Sequence, residues 1–149
     1  IEVDTLARLA EHPRIVAVKD AKGDLGAVMR TLARTDLAYY SGEDMLNLPL
    51  LAVGAVGVVS VVGHLAGPRL AELIAAVESG DLVKARAVNE SLLPVYRGVM
   101  GGGQGAMMVK AALNAMGLPA GPVRPPLVDA TPEQRAQLRA DLADGGIHL

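Results

Sequence analysis

A lysine closing an apolar run is the most reactive-looking feature of this sequence: Lys19 follows Ile15-Val16-Ala17-Val18 and precedes Asp20. In parallel α/β architectures the reactive groups sit at the C-terminal ends of strands. A dry position there disfavours an ammonium and frees the amine to attack a carbonyl carbon. The same placement also suits a lysine that reaches out to solvent, or one that pairs with Asp20 or Asp24. Position alone leaves both readings open.

Other chemistries find less support. The chain has no cysteine, which excludes a disulfide framework and a thiolate metal site and fits a reducing cytoplasm. His12, His64 and His148 are scattered, so no metal cluster is implied. A formal net charge of -2 argues against a dedicated nucleic-acid surface. The basic clusters at Arg30 to Arg34 and Lys84 to Arg86 have acids beside them, as solvated helix faces do. The glycines of Gly101-Gly102-Gly103-Gln104-Gly105 follow a predicted helix rather than a strand and lack the Gly-Lys-Ser/Thr ending of a phosphate-cradling loop.

The elements that would position Lys19 alternate regularly. Asp4 is a candidate cap for a helix whose Leu6, Leu9 and Ala10 share a face, ended by His12-Pro13. Ile15 to Val18 is apolar without alternation, the pattern of a strand covered on both faces. Gly23-Asp24 opens a second helix with Leu25, Val28, Met29 and Leu32 on one face, and a second strand lies around Leu37 to Ser41. Gly42 turns the chain, and Glu43 and Asp44 suit the positive start of the next helix. A third strand is predicted over Gly57 to Val62. Pro68 then opens a helix with Leu70, Leu73, Ile74 and Val77 in one stripe, stopped by Gly80.

Met45 to Pro68 holds no Lys, Arg, Asp or Glu and is long enough to span a bilayer. Pro49, Gly54, Gly57, Gly63 and Pro68 divide it, so a buried helix, a turn and a buried strand is the better reading. Beyond Gly80 only helices are expected: Asp81 to about Met100 with a kink at Pro94, Ala106 to Met116, and one from Pro132 with a Thr131/Gln134 capping box. A proline-rich connector spans Pro119 to Pro126. Three strands cannot close a barrel. The rest is expected from a second polypeptide or a longer chain, and Ile1 running straight into a helical pattern reads as an internal cut and not as a signal peptide.

Three segments resemble the dihydrodipicolinate synthase family. Ile15-Val16-Ala17-Val18-Lys19-Asp20-Ala21-Lys22-Gly23-Asp24 is similar to its sixth strand, Ser41-Gly42-Glu43-Asp44 to the Ser-Gly-Asp-Asp turn after its seventh, and Gly54-Ala55-Val56-Gly57-Val58-Val59-Ser60-Val61 to the Gly-x-x-Gly-Val-Ile-Ser-Val of its eighth. The order and spacing agree, and the likeness continues to the end of the chain. One departure is Gly101 to Lys110, where many relatives carry Asn-Pro-x-Pro-x-Lys; a flexible connection replaces a rigid one and puts any substrate contact there in doubt.

The resemblance implies an α/β fold, the C-terminal part of a TIM (β/α)8 barrel: strands six to eight in residues 1–80, then a C-terminal three-helix domain in residues 81–149. It implies that Lys19 forms an imine with pyruvate, that Val59 borders the bound pyruvate through its backbone, and that Gly42 lines the second-substrate side. Glu43 and Asp44 match acids near the site's mouth. The family's proton-relay threonine and tyrosines, and its carboxylate-binding arginine, fall in the half not represented here; Tyr39 and Tyr40 are therefore assigned packing or interface roles. The implied activity is 4-hydroxy-tetrahydrodipicolinate synthase, joining pyruvate to aspartate semialdehyde on the route to diaminopimelate and lysine. Expected partners are those substrates, the N-terminal half of the barrel and further copies in a homotetramer; no metal or organic cofactor, nucleic acid or membrane is expected. Two alternatives remain: an aldolase of the same superfamily acting on sialic acid or a keto-deoxy sugar acid, and a non-catalytic structural or regulatory half-barrel.

Overall fold

The computed structural model describes residues 1–149. Three short parallel strands, β1 (Ala17–Asp20), β2 (Ala38–Ser41) and β3 (Gly57–Val58), lie in sequence order in one sheet. Helices α1 (Val3–Ala10), α2 (Leu25–Leu32), α3 (Asn47–Ala52) and α4 (Gly63–Glu78) precede, link and follow them. Then come α5 (Leu82–Tyr96), α6 (Gly105–Ala115) and α7 (Pro132–Asp144) with no further strand. The register sets Lys19 opposite Tyr40, and Tyr40 opposite Gly57.

The sheet is covered on one face only. Val28, Tyr39, Leu50 and Ala55 form a small core beneath α2 and α3, with Val18 packed against it. Ala17 and Lys19 point the other way and are exposed, and Val16 at the strand's start is exposed as well. The two-sided burial expected of Ile15 to Val18 is thus not met within these residues, because three strands supply no opposite wall.

The larger core has 18 buried residues running from Leu51 to Leu142, and it crosses Gly80 without a break: Leu70 and Leu73 of α4 share it with Leu92, Tyr96, Met108 and Leu138. At about 1.5–3 kcal/mol for each large apolar side chain fully buried, most of the hydrophobic stabilisation resides there.

Several local expectations need correction. α1 begins after Glu2, not Asp4; Asp4 lies in its first turn and pairs with Arg34 at 2.6 Å. Met29 is half exposed, since α2 buries Ala27, Val28 and Thr31 instead. α4 contains a kink at Ala66 (φ -128°, ψ 27°), so Pro68 opens its second segment and a preceding turn at Gly63 went unrecognised. α5 runs through Pro94 and ends in a π-helical turn over Arg97–Gly101. The capping box at α7 forms as expected, with Thr131 N–H donating to Gln134 Oε1 at 2.9 Å and Gln134 N–H to Thr131 Oγ1 at 3.2 Å. Met45 to Pro68 is divided among a 3₁₀ turn, α3, β3 and the start of α4, and no helix is long and apolar enough to cross a membrane.

Candidate active site

The three residues singled out from the sequence stand at the C-terminal ends of neighbouring strands. Lys19 is on the last turn of the pleat in β1; Gly42 follows β2 directly, its N–H donating to the Asp20 carbonyl at 2.8 Å. Val59 follows β3, its N–H donating to the Ser41 carbonyl at 2.7 Å. A Cβ on Gly42 would lie 2.1 Å from Lys19 Cε and 2.9 Å from its Nζ. The lysine side chain therefore lies across the Gly42 backbone, and only a glycine leaves it room. The Val59 side chain is 53% exposed, so core packing does not account for it here.

That close approach yields an expected result. Gly42→Ala should leave the melting temperature nearly unchanged, because the group it meets is the flexible end of a lysine, but it should displace Nζ. A displacement of about 1 Å at a reacting atom can cost on the order of 100-fold in rate. For the imine-forming role that the family resemblance implies for Lys19, the kinetics of pyruvate attachment in the variant and in the unsubstituted protein, each within a completed barrel, measure it; equal rates would show that the displacement leaves that role untouched.

Neither carboxylate that could neutralise Lys19 does so. Asp20 accepts hydrogen bonds from the Tyr39 hydroxyl and, at 2.7 Å, from the Lys22 N–H. Asp24 caps α2, accepting from Ala27 N–H at 2.9 Å. Lys19 takes part in no ion pair, whereas Lys22 reaches Glu2 at 3.5 Å. The Tyr39 phenol is buried, and burial first, then its bond to Asp20, raises its ionisation well above the ordinary phenol range. It remains a hydrogen-bond donor at any working pH. Lys19 itself is exposed, so the dry setting expected for it is not provided by these residues alone. Two cavities of about 580 Å³ lie elsewhere, one between α6 and α7 and one beside α1, and neither is lined by Lys19. No group of three His, Asp or Glu side chains is arranged to hold a metal ion.

The sequence reading placed Glu43 and Asp44 at the positive end of the following helix. Both stand there, Glu43 as the cap and Asp44 in the first turn of the 3₁₀ helix Asp44–Leu46, but Asp44 has a further role. Its carboxylate is 3% exposed and crosses to the next loop, accepting from Val61 and Val62 N–H, each at 3.1 Å, and from the Ser60 hydroxyl. Asn47 Nδ2 donates to it as well, at 3.1 Å, while the Ser41 hydroxyl donates to Asn47 Oδ1 at 2.7 Å. Ser60 Oγ in turn accepts from Gly63 N–H at 2.8 Å, closing the start of α4. These bonds pull the chain out of the ladder after Val59, which is why β3 ends at Val58 and not at Val62 as predicted. Four small polar residues, Ser41, Asp44, Asn47 and Ser60, thus clasp the ends of β2 and β3 together. A signal for them existed: buried polar groups must be paired, and Asn47 and Ser60 stand in an otherwise apolar, charge-free stretch. Tyr96 of α5 is packed close to this clasp; its hydroxyl is buried without a hydrogen-bond partner, and burial pushes its ionisation up to about 12.

Residues 1–144 match the model of the dihydrodipicolinate synthetase family. The chain belongs to that family. It is 58% identical over 149 residues to 4-hydroxy-tetrahydrodipicolinate synthase 2 of Streptomyces coelicolor, covering all of this chain and 50% of the relative. It is 60% identical over 148 residues to 4-hydroxy-tetrahydrodipicolinate synthase of Kineococcus radiotolerans, covering 99% of this chain and 48% of the relative. The fold agrees equally well with the dihydrodipicolinate synthase of Acinetobacter baumannii solved in complex with pyruvate: TM-score 0.90 at 32% identity, over 98% of this chain and 50% of that one. The chain thus spans about half the length of the curated relatives it matches, and its three-stranded sheet with flanking helices corresponds to part of their α/β barrel.

Proposed function

We propose that these residues form strands six to eight and the terminal helical domain of a 4-hydroxy-tetrahydrodipicolinate synthase, with residues 1–80 as the barrel part and 81–149 as the helical part. In this reading the Lys19 amine adds to the ketone of pyruvate and expels water as the imine forms. Loss of a methyl proton gives an enamine, because the cationic imine nitrogen takes up the electron pair. The enamine carbon then bonds to the aldehyde carbon of aspartate semialdehyde, and the substrate's own amine displaces lysine on cyclisation. Val59 would border the pyruvate through its backbone and Gly42 the second substrate. The N-terminal half of the barrel, from the same or a separate chain, would supply the proton-relay groups and the missing wall, in a homotetramer.

The observation supporting this most directly is an unpaired lysine lying across Gly42 at the strand ends of a chain 58–60% identical to synthases over its whole length. The test is incubation of the completed barrel with pyruvate and borohydride, followed by peptide mass spectrometry. A reduced pyruvate adduct on Lys19 is the expected result. A folded, complete barrel that leaves Lys19 unmodified would overturn the assignment.

A further inference from the structure

The terminal helices enclose a basic cavity that Lys19 does not line. It lies between α6 and α7, and its volume of about 580 Å³ is in the range of small-molecule sites. Each helix turns one face to it, at the three- and four-residue spacing that brings side chains into line. From α6 come Met107, Lys110 and Ala111, and from α7 Arg135, Leu138 and Arg139. Met107 and Leu138 are buried members of the larger core, so the cavity has an apolar floor. The connector between the two helices forms a further wall, and it is pinned at two points. Asn114 and Gly121 exchange two hydrogen bonds, at 2.9 and 3.0 Å, and Asp129 accepts from Val123 N–H at 3.1 Å.

That last bond engages the one acid lining the cavity with backbone. Against Asp129 stand three cations, Lys110, Arg135 and Arg139, none of them in an ion pair. Arg135 spends only Nε, on the Ala130 carbonyl at 2.9 Å, and Arg139 only Nη1, on the Leu149 carbonyl at 2.8 Å. Three positive charges less one negative leave a surplus of two, in a chain whose formal net charge is -2. We infer that this cavity binds an organic anion with an apolar body and two acidic groups. The body lies on Met107 and Leu138, and the acidic oxygens take the free donors of Arg135, Arg139 and Lys110. A guanidinium presents paired donors in one plane, the geometry that carboxylate, phosphate and sulfonate oxygens match. The inference is separate from the Schiff-base reading, since no residue of the cavity is assigned to that chemistry.

The probe is naphthalene disulfonate, a flat apolar body with two acids, titrated calorimetrically into the completed barrel at neutral pH. Inorganic sulfate, the anion without the body, is the comparison. Saturable binding of one probe per chain is expected, about ten-fold or more tighter than sulfate because apolar surface is buried as well, with a raised melting temperature. Arg135→Gln combined with Arg139→Gln should weaken it about ten-fold, the scale of two ion pairs near a surface, and Lys110→Gln about three-fold. Lys84→Gln combined with Arg86→Gln, in the basic cluster of α5 outside the cavity, should change nothing. These side chains are exposed or half-buried, and a melting curve of each unliganded variant confirms that it is folded. The inference is overturned by a completed barrel that does not bind the probe, which would mean that its other half fills the cavity. Sulfate binding as tightly as the probe, full affinity in the double arginine variant, or an equal loss in the α5 variant overturns it too. The pyruvate adduct at Lys19 is scored independently, so failure here leaves that assignment standing.

Discussion

Lys19→Ala in the completed barrel is expected to lower the condensation of pyruvate with aspartate semialdehyde by roughly 10⁴-fold or more, because the covalent route disappears altogether. Stability should be unaffected, since the side chain is exposed and makes no ion pair. Lys19→Arg should be equally inert: it keeps the charge and the length of the side chain but has no amine that can lose its proton. Steady-state turnover with a melting curve on the same sample checks both. Activity within tenfold of the unsubstituted protein in either variant would place the reacting amine elsewhere.

Asp44→Ala should be the most damaging substitution for the fold of the strand ends. The carboxylate is buried and accepts from two backbone amides, the Ser60 hydroxyl and Asn47 Nδ2. Removing it strands those donors, at an expected cost of about 3 kcal/mol. For a chain of this size that lowers the melting temperature by roughly 6–12 °C. Asp44→Asn should lie between, because one acceptor oxygen remains while an NH₂ is set against the Val61 and Val62 amides. Both variants should also slow pyruvate capture, as the clasp fixes where the chain turns after Val59. A melting temperature unchanged in Asp44→Ala would mean that water replaces the carboxylate without loss.

Much of this was readable in the sequence, and what was not has identifiable causes. The three strands, the helix start at Gly23-Asp24, the Thr131/Gln134 capping box and the positions of Lys19 and Gly42 at strand ends follow from local signals, apolar runs, capping residues and turn glycines, whereas Val59 was marked only by the family resemblance, because the third strand was expected to run on to Val62. Asp44 does start the helix expected of it, but its second role was missed because a helix-start acid and a cross-loop acceptor look alike in one dimension. Its partners Ser60, Val61 and Val62 lie 16 to 18 residues away. The hydrogen bond from Tyr39 to Asp20 was hidden for the same reason, since the two are 19 residues apart. The burial of Lys19 was over-expected, since a sequence pattern records the environment of the complete barrel and these residues build only part of it. Ala66 escaped because Pro68 alone explains a helix start, and the extra turn before it leaves no separate mark.

The lopsided division of apolar contacts has a consequence for how such a barrel comes together. Four buried residues form the core beneath β1 and β2, against eighteen in the core that joins Leu51 of α3 to helices α4 through α7 and touches the sheet at Val58. Amides of the strands should therefore open to solvent far more often than those of the later helices, which behave as one cooperative unit. The helical end would serve as a preformed platform, and the strand bearing Lys19 would stay pliable until neighbouring strands dock and set its final curvature.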